Sequence, residues 1–133
     1  MAAIEIFNPP TLGVPLGQYS QVARVKASEY IFVAGQVGAH SDGSIANGFD
    51  AQCAQAFENT RLALESCGAA WANVVQFTTY LAHSQDIPLF MEYRLREFPK
   101  FFRNGAYPPN TLLMIDRLVK ESLLFEVHTI AAL

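Results

Sequence analysis

Charged side chains are scarce in this sequence of 133 residues: Asp, Glu, Lys and Arg make up 16% of it, while hydrophobic residues make up 51%. Globular domains average about 25% charged residues. The formal charge is -3, and the nine Lys and Arg residues include no run of three. Nucleic-acid-binding domains usually carry a basic patch, so this composition disfavours binding to RNA or to an anionic membrane surface. A chain this apolar should leave apolar surface exposed on a single subunit, and we expect part of that surface to be buried against further copies of the chain.

Cysteines, long apolar runs and the common catalytic motifs are few or missing. Cys53 and Cys67 are the two cysteines, and we expect small core residues of one helix, not a disulfide. No run of 18 apolar residues predicts a membrane span, and no secretory signal pattern opens the chain, so the expected location is the cytoplasm. No phosphate-binding glycine loop, Gly-x-Ser-x-Gly, Cys-x-x-Cys or metal-ligand spacing occurs. We therefore expect neither a metal nor a cofactor.

The hydrophobic pattern predicts strands, a helix, a strand, a helix and two final strands. Apolar residues recur at spacings of three and four from Phe49 to Cys67, which predicts a helix with Gly68 as its C-terminal cap. In the second helix Pro99 should end or kink the chain. The other predicted elements are strands over 3–7, 19–25, 29–34 and 74–82, a helix over 89–102, and a hairpin of strands over 111–119 and 122–131. This order predicts one α+β domain over residues 1–133, with two helices on one face of a sheet.

The last predicted strand is apolar on both sides. Leu123, Phe125 and Val127 point to one side, while Leu124 and Ile130 point to the other, because side chains alternate along a strand. The helices cover one side of the sheet. We expect the apolar side chains on the other side to be buried in an oligomer interface.

Several segments, taken in order, resemble the RidA/YjgF (Rid) family. They are residues 15–21 (PLGQYSQ), 34–37 (AGQV), 52–68, 74–81 (VVQFTTYL) and 125–132 (FEVHTIAA). The resemblance covers about residues 15 to 132. It implies a chorismate-mutase-like homotrimer with a mixed sheet and with ligand clefts between subunits. Many members hydrolyse enamines or imines released by pyridoxal-phosphate enzymes, and others are described as ribonucleases, translation inhibitors or ligand-binding proteins. The family generally needs no metal or cofactor.

The family's substrate-gripping arginine follows a Pro-rich loop, and that position holds Asn110 here. A guanidinium grips a carboxylate with two parallel charge-assisted hydrogen bonds, which an uncharged amide cannot reproduce. We therefore expect a substrate other than a free 2-imino acid. Arg117 lies seven residues further along the predicted strand and should face the other side, so we interpret it as structural. Arg24 could contribute only from a neighbouring subunit.

Glu126 is the strongest candidate for catalysis, because it matches the family's acid in the last strand. Between Phe125 and Val127 its carboxyl group should be partly buried and its pKa raised, which suits proton transfer near neutral pH. The alternative is a buried glutamate satisfied by backbone donors. His128 lies two residues further on, on the same side of the strand. It could pair with Glu126 as an acid–base couple or be an interface histidine.

Four further residues are candidates for ligand contact, and Tyr19 among them matches the family's cleft tyrosine. Tyr19 could contact a ligand or pack at an interface. Gly35 and Gln36, at a strand end, could present backbone groups to a ligand or form a β-bulge. Met91 stands where relatives often have asparagine, which makes the expected pocket more apolar.

Two classes of function remain open from the sequence. The first is an enzyme that hydrolyses an enamine, imine or related C–N bond in an intersubunit cleft, with Glu126 positioning water. The alternative is a small-molecule-binding or regulatory trimer that uses the same clefts without turnover. A ribonuclease is disfavoured by the sequence pI of about 5.5 and by the absence of a basic stripe.

Overall fold

The structure, a computed structural model, describes all 133 residues. It contains six strands, two α-helices and two short 3-10 turns. The strands are β1 (Ala3–Phe7), β2 (Val22–Lys26), β3 (Tyr30–Val37), β4 (Val74–Leu81), β5 (Asn110–Met114) and β6 (Phe125–Ala132). The helices are α1 (Phe49–Ser66) and α2 (Ile87–Phe101). This confirms the α+β class predicted from the sequence.

The main sheet is mixed and has the order β3-β6-β4-β5, with β4 and β5 parallel and the other pairs antiparallel. β1 and β2 form a separate two-stranded sheet. The predicted hairpin of the last two strands is wrong. β6 lies between β3 and β4, while β5 occupies the far edge. Helix α2 provides the crossover that a parallel β4–β5 pair requires.

β5 is also shorter than predicted and ends at Met114. The chain after it is a loop held by a buried side chain of α1, Gln52. Its Nε2 donates to the carbonyl of Ser122 at 3.0 Å, and its Oε1 accepts from the N–H of Leu124 at 2.8 Å. These bonds take the place of strand pairing. Pro99 does not end α2 at once, because it lies in the last turn before Phe101.

The core lies between one face of the main sheet and the two helices, as predicted. Phe57 of α1 is 1% exposed and packs against four aromatic rings at centroid distances of 5.5 to 5.7 Å: Phe77, Tyr93, Phe98 and Phe125. Truncating such a side chain to alanine costs roughly 3–5 kcal/mol. Cys53 belongs to this core, but Cys67 is exposed. The prediction of two core cysteines is therefore half wrong, because α1 ends before Cys67.

The opposite face of the sheet has no cover within the chain. Glu126, His128 and Ile130 are only partly buried there, and Phe32, paired with Ile130, is 70% exposed. We call this the uncovered sheet face. Neither helix combines the length and apolar character needed to cross a bilayer.

Candidate functional site

Three of the predicted ligand-contacting residues meet in one cavity on the helix side of the sheet. Tyr19, Met91 and Asn110 line this cavity of about 280 Å³ together with Leu16 and Arg94. We call it the helix-side cavity. Apolar side chains from Ile87 and Leu112 complete its wall. Three distant stretches of chain therefore build the cavity: the Pro- and Gly-rich loop over residues 8–18 with the adjoining Tyr19, helix α2, and the start of β5.

Asn110 is held by hydrogen bonds at both ends of its amide. Its Nδ2 donates to Thr79 Oγ1 at 3.0 Å, and its Oδ1 accepts from Arg94 Nη1 at 3.3 Å. The amide therefore connects β4 to α2. One N–H of the amide is used within the chain and its oxygen accepts from Arg94, so Asn110 positions Arg94.

Arg94 was not singled out from the sequence, yet it is the most unusual residue of the cavity. Its side chain is buried, with 3% of the residue exposed. The guanidinium carbon lies 4.6 Å from the ring centroid of Phe90 and 5.7 Å from that of Tyr19. Burial lowers the pKa of Arg94 to about 10, and Tyr19 weakly opposes this shift. The group therefore stays protonated at neutral pH.

The hydrogen-bonding capacity of Arg94 is only partly used. Besides Asn110, its one acceptor is the thioether of Met91, with Nη2 to Sδ at 3.0 Å. A thioether is a weak acceptor. Nε is buried without any partner, and no carboxylate pairs with the guanidinium. The sequence does contain a signal, because Phe90, Arg94 and Phe98 recur at the spacing of four that marks the buried face of a helix.

The Pro- and Gly-rich loop closes over this group. A Cβ at Gly17 would lie 2.8 Å from Met91 Cε and 3.1 Å from Arg94 Nη2, so the loop backbone sits directly on the two side chains. The N–H of Leu16 donates to the Tyr19 hydroxyl at 3.2 Å. Leu16 itself is 85% exposed, which places an apolar side chain at the mouth of the cavity.

Glu126 lies in a second group of residues, on the uncovered sheet face. Burial raises the pKa of its carboxyl group, and the nearby His128 opposes this shift. The direction is the one expected from the sequence. Gly35 lies against the carboxyl group: a Cβ there would be 2.6 Å from Glu126 Cδ and closer still to Oε2. The register of β3 with β6 shifts between Val33 and Gln36, so Gly35 lies in a β-bulge opposite His128. The bulge and the close backbone approach considered for Gly35 are therefore both present.

The two groups lie on opposite faces of the same sheet. Asn110 pairs with Phe77 of β4, whereas Glu126 pairs with Tyr80. Because side chains alternate along a strand, positions 77 and 80 point in opposite directions. One chain therefore cannot bring Glu126 and Asn110 together. A site that uses both must take them from two subunits.

The two arginines considered as replacements lie elsewhere. Arg117 is in the loop after β5, where it donates to the carbonyls of Leu118 and Val119 and pairs with Glu121 at 3.0 Å. The expectation that it continues strand β5 is wrong, because β5 ends before it. Arg24, on β2, lies 3.7 Å from Glu5. No three His, Cys, Asp or Glu side chains come close enough together to hold a metal ion.

Comparison with known proteins shows the family to which this chain belongs. The family model described as Endoribonuclease L-PSP matches residues 12–133. A RutC family protein of Pyrococcus abyssi is 31% identical over 119 residues, which cover 88% of this chain and 87% of that protein. The chain therefore belongs to the RidA/YjgF family, as its motifs predict. A more distant relative is a 2-iminobutanoate/2-iminopropanoate deaminase of Dermatophagoides farinae. It is 23% identical over 124 residues, which cover 92% of this chain and 91% of that protein.

Solved structures share the fold over nearly the whole chain. A Rid family protein of unknown function from Yersinia pestis, YyfB, superposes with a TM-score of 0.86 at 25% identity, covering 98% of both chains. RidA from an Antarctic Psychrobacter superposes with a TM-score of 0.71 at 24% identity, covering 97% of this chain and 99% of that one.

Proposed function

We propose that the protein hydrolyses the C=N bond of a small imine, or of an enamine that tautomerises to one, in clefts between the subunits of a homotrimer. The observation that carries the proposal is the carboxyl group of Glu126, which burial holds at a raised pKa against the backbone of Gly35. Membership of the RidA/YjgF family and the imine deaminase among the relatives support this choice of chemistry.

Imine hydrolysis requires two proton movements that one such carboxyl group can serve. Water bonds to the imine carbon through oxygen and loses a proton, and the nitrogen gains protons and leaves as ammonia while a carbonyl forms. An acid whose pKa approaches the working pH can both accept and return a proton. Glu126 fits this role because burial disfavours its charged form.

The homotrimer is part of the proposal, because the two groups of residues face away from each other within one chain. Contact between the uncovered sheet face of one subunit and the helix-side cavity of the next would place Glu126 near Tyr19 and Asn110. The exposed Phe32 side chain gives the uncovered face the apolar area that an interface needs. Closed cyclic symmetry accounts for such heterologous contact without an open filament.

The expectation that free 2-imino acids are not substrates rested on the missing arginine at position 110. That expectation stays a prediction, but the Arg94 guanidinium, 3.3 Å from Asn110, offers another cation for a carboxylate. We therefore include free 2-imino acids among the substrates to be tested.

The test is turnover of freshly generated 2-aminoacrylate and its four-carbon homologue, followed as ammonia release with semicarbazide trapping the remaining imine. Wild type should accelerate ammonia release and Glu126→Gln should not. Saturable binding of the carbonyl products with no acceleration by wild type would instead favour the binding or regulatory trimer.

A further inference from the structure

Arg94 is a buried cation that nothing in the chain neutralises. Four other arginines pair with carboxylates: Arg24, Arg61, Arg96 and Arg117. Arg94 is 3% exposed and has an amide oxygen, a thioether and two aromatic rings around it. Burying an unpaired charge is strongly unfavourable. A packing role at this position would be met better by an uncharged side chain of similar length.

The unused donors of Arg94 have a geometry that suits one kind of ligand. Nε has no partner, and the adjacent Nη2 is bound only to the thioether of Met91. Two neighbouring N–H groups of a guanidinium match the two oxygens of a carboxylate. Met91 can release Nη2, because methionine has a flexible side chain and its sulfur is a weak acceptor.

The walls of the cavity limit what such an anion can carry. The volume of about 280 Å³ lies just below the usual range for ligand pockets, roughly 300–1,000 Å³. Leu16, Ile87 and Leu112 line it beside the single cation. One positive charge among apolar side chains fits a small monoanion with a short alkyl group better than a multiply charged phosphate.

We propose that Arg94 is the anion receptor of this protein: its guanidinium binds the carboxylate of a small 2-imino or 2-oxo acid in the helix-side cavity, while Asn110 positions it. For the imine end of the ligand this inference rests on the proposed function. By the resemblance to the RidA/YjgF family, other members carry their substrate-binding arginine at the position that is Asn110 in this chain. Here the cation is on α2 and the strand position holds a neutral amide that accepts from it. Two guanidinium groups at these neighbouring positions would repel each other, so Asn110 and Arg94 form one consistent arrangement.

The test measures binding without turnover, by calorimetry on the intact oligomer. The probes are 2-oxobutanoate, the stable carbonyl product from 2-iminobutanoate, and its uncharged analogue 2-oxobutanamide. Wild type should bind the anion at least tenfold more tightly than the amide. Arg94→Met should weaken binding of the anion by about 10- to 150-fold, the usual range for a lost charged hydrogen bond, and leave the amide unchanged. The matched control is Arg96→Met, on the same helix but exposed and paired with Asp50, which should bind both probes like wild type.

Thermal unfolding of the same variants separates a receptor from a structural arginine. If Arg94 is a receptor, its buried charge is unpaired in the ligand-free protein, so Arg94→Met should raise the Tm of that form. Binding of 2-oxobutanoate should raise the Tm of wild type but not of Arg94→Met. Should Arg94→Met not fold, Arg94→Gln gives the same comparison of the two probes. A lower Tm and a dissociating oligomer, with unchanged affinity for the anion, would show that Arg94 pairs with a neighbouring subunit's carboxylate, and the proposal would be overturned.

Failure of this inference can be told apart from failure of the proposed function. Arg94-dependent binding of 2-oxobutanoate with no turnover of any imine would refute the proposed hydrolase activity and support the role of Arg94 as anion receptor. Turnover of imines, together with either equal affinity for the anion and the amide or no binding of either, would refute the anion receptor and support the hydrolase activity.

Discussion

Replacing Gly35 by alanine should displace the carboxyl group of Glu126 and lower activity while leaving Glu126 itself unmutated. The added Cβ would lie 2.6 Å from Cδ and 3.0 Å from Cγ of Glu126, where ordinary contact begins at 3.4 Å. The carboxyl group must therefore move by at least about 0.8 Å, the difference between 3.4 and 2.6 Å, because Oε2 lies closer still. The backbone itself accepts alanine, because Gly35 does not have a positive φ.

A displacement of this size has a predictable cost for activity and for stability. Misplacing a catalytic group by about 1 Å can cost roughly 10²-fold in rate, so kcat for imine hydrolysis should fall about 100-fold. Forcing an extra carbon into a packed core costs about 1–3 kcal/mol in the free energy of unfolding, and the cost here should be smaller, because the clash is with a flexible, half-buried side chain. Both costs come from overlap with the Glu126 side chain, so shortening that side chain should relieve the second one.

The assay is a double-mutant cycle of Gly35→Ala and Glu126→Ala, measured by urea unfolding at fixed protein concentration and by kcat. Gly35→Ala should destabilise the wild-type background and be nearly neutral in the Glu126→Ala background. Gly13→Ala is the control, since a Cβ at Gly13 meets nothing within 4 Å. Full activity of Gly35→Ala, or equal destabilisation in both backgrounds, would refute the close-approach reasoning.

Four further outcomes are expected. Glu126→Gln should keep the oligomer and lose about 10²- to 10⁴-fold in kcat, as for removal of one general acid–base group; full activity would leave Glu126 with a structural role only. Because burial raises the pKa of Glu126 above 4.5, the free energy of unfolding of wild type relative to Glu126→Gln should be highest below pH 4.5 and fall as the pH rises through the raised pKa; a pH-independent difference in urea unfolding would contradict this. Asn110→Arg should lower the Tm by placing a second guanidinium beside Arg94, and the loss should vanish in an Arg94→Met background; an unchanged Tm would show that the two side chains avoid each other. Sedimentation equilibrium should give three times the 14.7 kDa chain mass, Phe32→Asp should disperse the trimer and Leu62→Asp, on the outer surface of α1, should not; a wild-type monomer at micromolar concentration would remove the shared-cleft model.

Elements with a strong local pattern could be predicted from the sequence. Helix α1 begins at Phe49 as expected, and β1 and β4 lie within one residue of their predicted bounds. Each has a hydrophobic period or a run of strand-forming residues that decides its type locally. The partner of a strand has no such local signal. The loop after β5 is fixed by Gln52, which is far away in the chain, so the predicted hairpin failed.

The sequence by itself determined the family, the fold class and the residues worth watching, because these depend on ordered motifs and local periodicity. Only the tertiary structure decided how those residues group. The register of β4 with β5 and β6 places Asn110 and Glu126 on opposite faces. Burial gave Arg94 its importance: an arginine in a helix is ordinarily a solvated surface charge, and its meaning changes once α2, the Gly17 loop and Asn110 enclose it. Desolvation depends on what surrounds a charge in space, and that was settled by packing between segments distant in the chain.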